Sequence, residues 1–143
     1  MSTLTLAVAQ KMLADALAHS RSHKFNPMAI VITDARGAIR AAASEDNTSV
    51  IRWKIAFGKA SGAIALGVGS RKIGVMAAER PHFVAAASQL AGDGLIPVAG
   101  GVLIRDADKV IIGAMGVSGD TSDNDEAAAV AAIQAAGFTA DVG

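Results

Sequence analysis

The chain has 143 residues, about the length of one domain, and its 13 basic residues balance 13 acidic ones. We therefore expect a single domain over residues 1–143. The lack of a basic run and the scarcity of aromatic residues argue against nucleic-acid binding. There is no cysteine, which excludes disulfides, thiolate-ligated metals and thiol catalysis and is typical of a reducing, cytoplasmic location.

The apolar residues predict a protein that does not enter a membrane. The segment beginning at Met1 lacks a basic region, and Lys11 and Asp15 interrupt its apolar positions, so we expect no signal peptide. No run of about 18 apolar residues is present that could form a spanning helix. Most apolar residues are Ala, Val, Ile and Leu, whose small contact areas favour further burial between subunits, so we expect a homo-oligomer.

The first half of the chain predicts a helix, a β-hairpin and a second helix. Thr3 or Thr5 is placed to cap the first helix, and Gly37 provides the positive φ angle of a hairpin turn. In chain order the predicted elements are a helix to about His19, strands over 28–33 and 38–43, and a helix over about 48–66.

The second half predicts two short helices, a second hairpin and a final Ala-rich helix. Ser70 is expected to cap the third helix, Pro81 suits the first turn of the fourth, and Gly137 suits the end of the last. The predicted elements are helices over about 70–79, 81–90 and 125–136, a short extended piece over 95–98, and strands over 102–104 and 110–117.

Both hairpins imply antiparallel pairing, which excludes a doubly wound dinucleotide-binding fold. The order of elements predicts an α/β (α+β) domain. We expect one five-stranded antiparallel sheet with helices on both faces.

The loop that precedes the last helix concentrates Ser, Thr, Asp and Asn. We expect Asp123 or Asn124 to cap the helix while the following acidic residues complement its dipole. A cation site built from Asp120, Asp123 and Glu126 is the alternative, although the spacing does not match an EF-hand loop.

Three segments of the chain resemble the small GlcG/HbpS/PduO-C-terminal-like family. They are the run Gly-Val-Ser-Gly-Asp-Thr-Ser-Asp-Asn-Asp-Glu over 116–126, the hairpin over 31–37 and the Lys59-Ala60 pair inside a helix. The resemblance covers nearly the whole chain. It implies a profilin-like, three-layer α/β/α domain, homo-oligomers, and in several members the binding of haem.

Two positions depart from the family pattern. Many members have Arg-x-Asp directly after the second strand, where only Asp46 matches here. Many have Thr soon after the Lys-Ala pair, where this chain has Ser61 and Gly62. Ligand contacts made by those family residues do not transfer to this chain.

If haem binds, its axial ligand must be His or Met, since Cys and Tyr are absent. We expect His82 to contribute more than His19, because Arg80 could pair with a propionate and Phe83 could stack on the macrocycle. His23 is the other candidate, predicted to lie beyond the end of the first helix. A surface histidine without a ligand role is the simpler alternative for each of them.

The sequence supports two functions of different class. The first is an oligomeric binding protein for haem or a related tetrapyrrole. The second is a small-molecule catabolic enzyme or accessory protein that acts on a small organic acid at a pocket near Lys59 and a ligand loop containing Ser118, Gly119 and Glu126. For Lys59, a salt bridge to Asp46 or Glu126 is the simpler role.

Overall fold

Five strands form one antiparallel sheet in the computed structural model, which describes residues 3–143. Met1 and Ser2, where the segment expected to lack a signal peptide begins, lie outside the described residues. The helices are α1 (Leu6–Ser22), α2 (Arg52–Leu66), α3 (Ser70–Glu79), α4 (Pro81–Leu90) and α5 (Ser122–Ala135), and the strands are β1 (Ala29–Asp34), β2 (Ile39–Ser44), β3 (Gly101–Arg105), β4 (Ile111–Ser118) and β5 (Thr139–Asp141).

The strands lie in the order β2-β1-β4-β3-β5, and every neighbouring pair is antiparallel. Helices cover both faces, which confirms the predicted fold class. Side chains alternate across the sheet, so Ile30 and Ile32 face α1 and α5, whereas Ala29 and Val31 face α2. Among the described helices, none is long and apolar enough to cross a membrane.

Both hairpins and the start of α1 lie where the sequence predicts them. Thr5 caps α1, its hydroxyl accepting from the Val8 amide at 3.2 Å, and Gly37 has the expected positive φ of 85°. α1 continues to Ser22, three residues beyond the expected end. α2 begins at Arg52 rather than near Thr48, whose hydroxyl donates to the Glu45 carbonyl instead of capping the helix.

The fifth strand lies at the C-terminus and not over 95–98. Residues 93–97 run along the outer side of α2, where a Cβ at Gly58 would lie 2.7 Å from Ile96 and one at Gly62 would lie 3.0 Å from Leu95. This segment therefore packs on a helix. The free edge of β3 is paired instead by the three residues of β5.

Candidate functional site

A buried ion pair lies between α2 and the end of β4. The Nζ atom of Lys59 donates to Asp125 Oδ2 at 3.1 Å and to the carbonyl oxygen of Val117 at 2.9 Å. Both charged side chains are only 2% exposed. The Lys59 partner expected from the sequence, Asp46 or Glu126, is therefore wrong, and the neighbouring Asp125 takes that role.

Glycines let α2 approach the sheet closely enough to bury this pair. A Cβ at Gly116 would lie 1.8 Å from the carbonyl oxygen of Ala56, and one at Gly101 would lie 2.3 Å from the carbonyl oxygen of Lys59. Real side chains do not approach backbone that closely, so these two positions require glycine. The Lys59 side chain consequently reaches the carbonyl end of β4 without solvent between the two.

Burial acts against the charged form of both members of the pair. It lowers the pKa of Lys59, although the attraction of Asp125 opposes the shift. It raises the pKa of Asp125, against the attraction of Lys59 and hydrogen bonds from the backbone of Asp120 and Gly119. Each residue stabilises the charged form of the other, because either charge alone would be buried without a partner.

The loop from Ser118 to Thr121 is held by Asp125 and by the helix it precedes. The Oδ1 atom of Asp125 accepts the Asp120 amide at 2.9 Å, and Thr121 caps α5 by accepting the Asn124 amide at 3.2 Å. The cap is therefore Thr121, not Asp123 or Asn124 as the sequence suggested. The position of the cap also sets the rotation of α5, which turns Asp125 inward.

Arg71 of α3 neutralises the outward carboxylates of α5. Its guanidinium pairs with Asp123 and Glu126, the latter at 3.0 Å. Asp120 accepts instead from the Asn26 amide at 2.7 Å and from Asn124 Nδ2 at 2.7 Å, and these hydrogen bonds lower its pKa. The three carboxylates considered for a cation site thus already have protein partners, and within residues 3–143 no group of three acidic or histidine side chains is arranged to hold a metal ion.

Ser118 and Gly119 of the predicted ligand loop are both held by packing. Ser118 is fully buried on the α2 face of the sheet, and its hydroxyl accepts from Arg52 Nη1 at 3.3 Å. Gly119 lies against the chain before β1, where a Cβ would lie 2.2 Å from the carbonyl oxygen of Pro27. No sequence pattern pointed to Arg52, because α2 was expected to begin four residues earlier, at Thr48.

Two histidines stack at the end of α1, on the other face of the sheet. The rings of His19 and His23 have centroids 3.9 Å apart and an interplanar angle of 21°. Phe25 packs beside both rings, with centroid distances of 5.9 Å and 5.5 Å. His23 follows the last helical residue, as expected from the sequence, yet its ring folds back onto the helix.

A backbone carbonyl fixes the orientation of the His23 ring. Its Nδ1 atom lies 2.8 Å from the carbonyl oxygen of His19. A carbonyl oxygen only accepts hydrogen bonds, so this contact is a hydrogen bond in the tautomer that carries the proton on Nδ1. In the neutral ring the lone pair then lies on Nε2. Burial and the charge of His23 both lower the pKa of His19, which favours its neutral form.

His82, Arg80 and Phe83 lie together at the start of α4, apart from the groups above. The Arg80 guanidinium lies over the Phe83 ring, 4.5 Å from its centroid, and His82 is exposed. Phe83 lines an apolar groove of about 380 Å³ between α4 and the end of α2. The structure thus separates the predicted haem residues into two places, with His23 at the end of α1 and His82 at the start of α4, next to this groove.

Comparison with known proteins gives one family and several structures of the same fold. Residues 4–134 match the family described as haem degrading protein HbpS-like. No protein in a search of curated sequences matches significantly.

The structure of a PduOC:heme complex covers 98% of this chain and 99% of its own at 20% identity, with a TM-score of 0.86. The Klebsiella pneumoniae protein ORFY is 25% identical over 96% of this chain and 92% of its own, with a TM-score of 0.82. HbpS is 20% identical over 94% and 91%, with a TM-score of 0.80.

Proposed function

The chain belongs to the HbpS-like family, and we propose that it is a haem-binding protein whose iron ligand is the imidazole of His23. The PduOC domain, which shares its fold, has been crystallised with haem, and this supports haem as the ligand to test. The proposal is carried by one observation, the contact between His23 Nδ1 and the His19 carbonyl oxygen.

The same contact is found in histidines that bind a metal, which hydrogen-bond through the ring nitrogen that does not face the metal. Such residues almost always donate the N–H that does not face the metal to a carbonyl, carboxylate or water, which fixes the tautomer and the ring orientation. His23 has this arrangement, and its side chain lies on the exposed end of α1. A proximal histidine is one of the usual ligands of haem iron.

Neighbouring side chains suit an apolar, planar ligand. His19 holds the His23 ring by stacking, and Phe25 adds an aromatic surface within 6 Å of both rings. Bound haem would supply an iron atom that accepts the imidazole lone pair. The chain's own contribution is to hold the His23 ring in a fixed orientation, with Nδ1 turned toward the His19 carbonyl oxygen.

A haem titration of wild type and three single variants tests this assignment. We expect wild type to develop a Soret band, His23→Ala to lose or shift it, and His19→Ala to weaken binding through loss of the stacked neighbour. His82→Ala is the matched control, because it removes a histidine from a different part of the molecule. Loss of the band in His82→Ala alone would return the ligand to α4, as the sequence suggested.

The alternative, an enzyme or accessory protein for a small organic acid near Lys59, stays a prediction. The Lys59 ammonium is buried and already donates to two protein acceptors, which leaves it badly placed to react as a free amine. Any contact to an acid in this region must therefore come from another side chain. Assembly into a homo-oligomer and a cytoplasmic location likewise stay predictions.

A further inference from the structure

Arg52 and Ser118, on the α2 face of the sheet, hydrogen-bond one another but retain unused hydrogen-bonding capacity. Arg52 is the first residue of α2 and is half-buried. The ion pairs formed within residues 3–143 do not include Arg52. Its side chain donates to Ser118 Oγ at 3.3 Å, which is long for a hydrogen bond to a hydroxyl.

The Ser118 hydroxyl is left with an unused hydrogen. A serine hydroxyl carries one donor hydrogen and two acceptor lone pairs, whereas a guanidinium can only donate. Arg52 therefore occupies an acceptor position of Ser118, and in the described part of the chain no acceptor receives the Ser118 hydrogen. Ser118 is fully buried, and buried polar groups are nearly always paired.

The local charge is unbalanced in the same place. Asp125 is paired with Lys59 and not with Arg52, and repulsion from Arg52 is one of the causes that lower the pKa of Lys59. The first turn of α2 contains no acidic residue and has no side-chain cap. An anion at this point would therefore meet an excess of donors and of positive charge.

We propose that Arg52 and Ser118 bind a carboxylate. The guanidinium donates two N–H groups to the carboxylate oxygens, and the Ser118 hydroxyl donates its unused hydrogen to one of them. Ser118 is fully buried and in contact with Arg52, so the proposal requires the Arg52 side chain to move outward before a carboxylate can reach the Ser118 hydroxyl. Two sources share this chemistry, a free small organic acid and a propionate of bound haem.

The first arm of the test uses small acids without haem. Sodium acetate, glycolate and succinate are titrated against sodium chloride at equal ionic strength, with affinity read by calorimetry and melting temperature. Arg52→Gln should weaken acid binding about tenfold or more, Ser118→Ala less, and Arg52→Lys should retain part of the affinity. Lys54→Gln is the matched control, because it removes a charge from the same helical turn and should change affinity less than about twofold.

The second arm compares haemin with its dimethyl ester, in which both propionates are esterified. If propionate is the source, wild type binds haemin about tenfold more tightly than Arg52→Gln does, and the ester binds both equally. The proposal is overturned if Arg52→Gln matches wild type in both arms, or if Lys54→Gln loses as much as Arg52→Gln. The acid titration needs no haem. Acid binding at Arg52 can therefore be found even if His23 does not bind iron, and His23 can bind iron even if no acid binds at Arg52.

Discussion

The ammonium of Lys59 and the carboxylate of Asp125 meet 3.1 Å apart beneath α2. Their side chains are 2% exposed, whereas Arg71, which pairs with Glu126 one residue further along α5, is 43% exposed. The two neighbouring acidic residues therefore make ion pairs in different dielectric surroundings. Breaking the buried pair should therefore cost more stability than breaking the exposed one, because it leaves a charge buried without a partner.

Removing one member of the buried pair should be strongly destabilising. We expect Asp125→Ala to lower the free energy of unfolding by about 3–5 kcal/mol, because Lys59 is left as an uncompensated buried charge. Glu126→Ala is the control and should cost about 0–1 kcal/mol. Urea denaturation of the two variants checks this directly. A cost for Glu126→Ala equal to that of Asp125→Ala would instead support the Lys59–Glu126 pair expected from the sequence.

A double-variant cycle separates the ion pair from its burial. Lys59→Met should resemble Asp125→Ala in cost, because each leaves one charge alone. The combined Lys59→Met/Asp125→Leu variant should be more stable than the sum of the single effects predicts, since neither charge remains. Additive costs would show that the two side chains act independently.

The partner of Lys59 could not be read from the sequence because it depends on where α5 begins. Residues one apart on a helix point about 100° apart, so a change in the helix start decides which acid faces inward. Starting α5 at Ser122 instead of Asp125 turns Asp125 toward Lys59 and Glu126 toward Arg71. The hairpins and the Thr5 cap were predictable, because their signals lie within a few residues of one another.

The fifth strand and the histidine stack depend on contacts that local pattern does not contain. β5 has three residues, too few for an alternating pattern, and it exists through pairing with β3. The ring of His23 turns back because α1 extends to Ser22, which places the His19 carbonyl within reach. The role of Arg52 depends on its contact with Ser118, which lies 66 residues further along the chain on the same face of the sheet.

Removing the cap of α5 should lower stability more than removing the residues first expected to cap it. Thr121→Ala deletes the oxygen that accepts the Asn124 amide and should cost about 0.5–2 kcal/mol. Asp123→Ala removes an exposed ion pair with Arg71 and should cost about 0–1 kcal/mol. Melting curves of both variants test the difference. The opposite order of melting temperatures would place the cap at Asp123.

Self-association is expected because large apolar side chains are exposed at the edge of the sheet. Trp53 is 43% exposed and lies beside β2, whose outer edge is unpaired in the described residues, and the preceding Ile51 and Val50 are 57% and 84% exposed. Light scattering at micromolar concentration should give a multiple of the monomer mass, and Trp53→Ser should lower it. A monomer mass for wild type would contradict this prediction.

The stacked histidines should make stability depend on pH. Burial, followed by the charge of His23, lowers the pKa of His19 below its ordinary value of 6.5. Between the lowered value and 6.5 the unfolded chain binds more protons than the folded one, so stability rises with pH in this window. The contribution of His19 is complete above 6.5 and is lost as pH falls through the folded pKa.

Replacing His23 tests the electrostatic part of this shift. In His23→Gln the repulsion disappears but the burial of His19 remains, so NMR titration should show the pKa of His19 rising part of the way to 6.5. The rise of unfolding free energy between about pH 5 and about 7 should become shallower, because the difference in bound protons shrinks. His82→Gln removes a distant histidine and should leave the His19 titration unchanged. A His19 pKa that stays the same in His23→Gln would mean that burial alone causes the shift and that the stacked rings do not interact electrostatically.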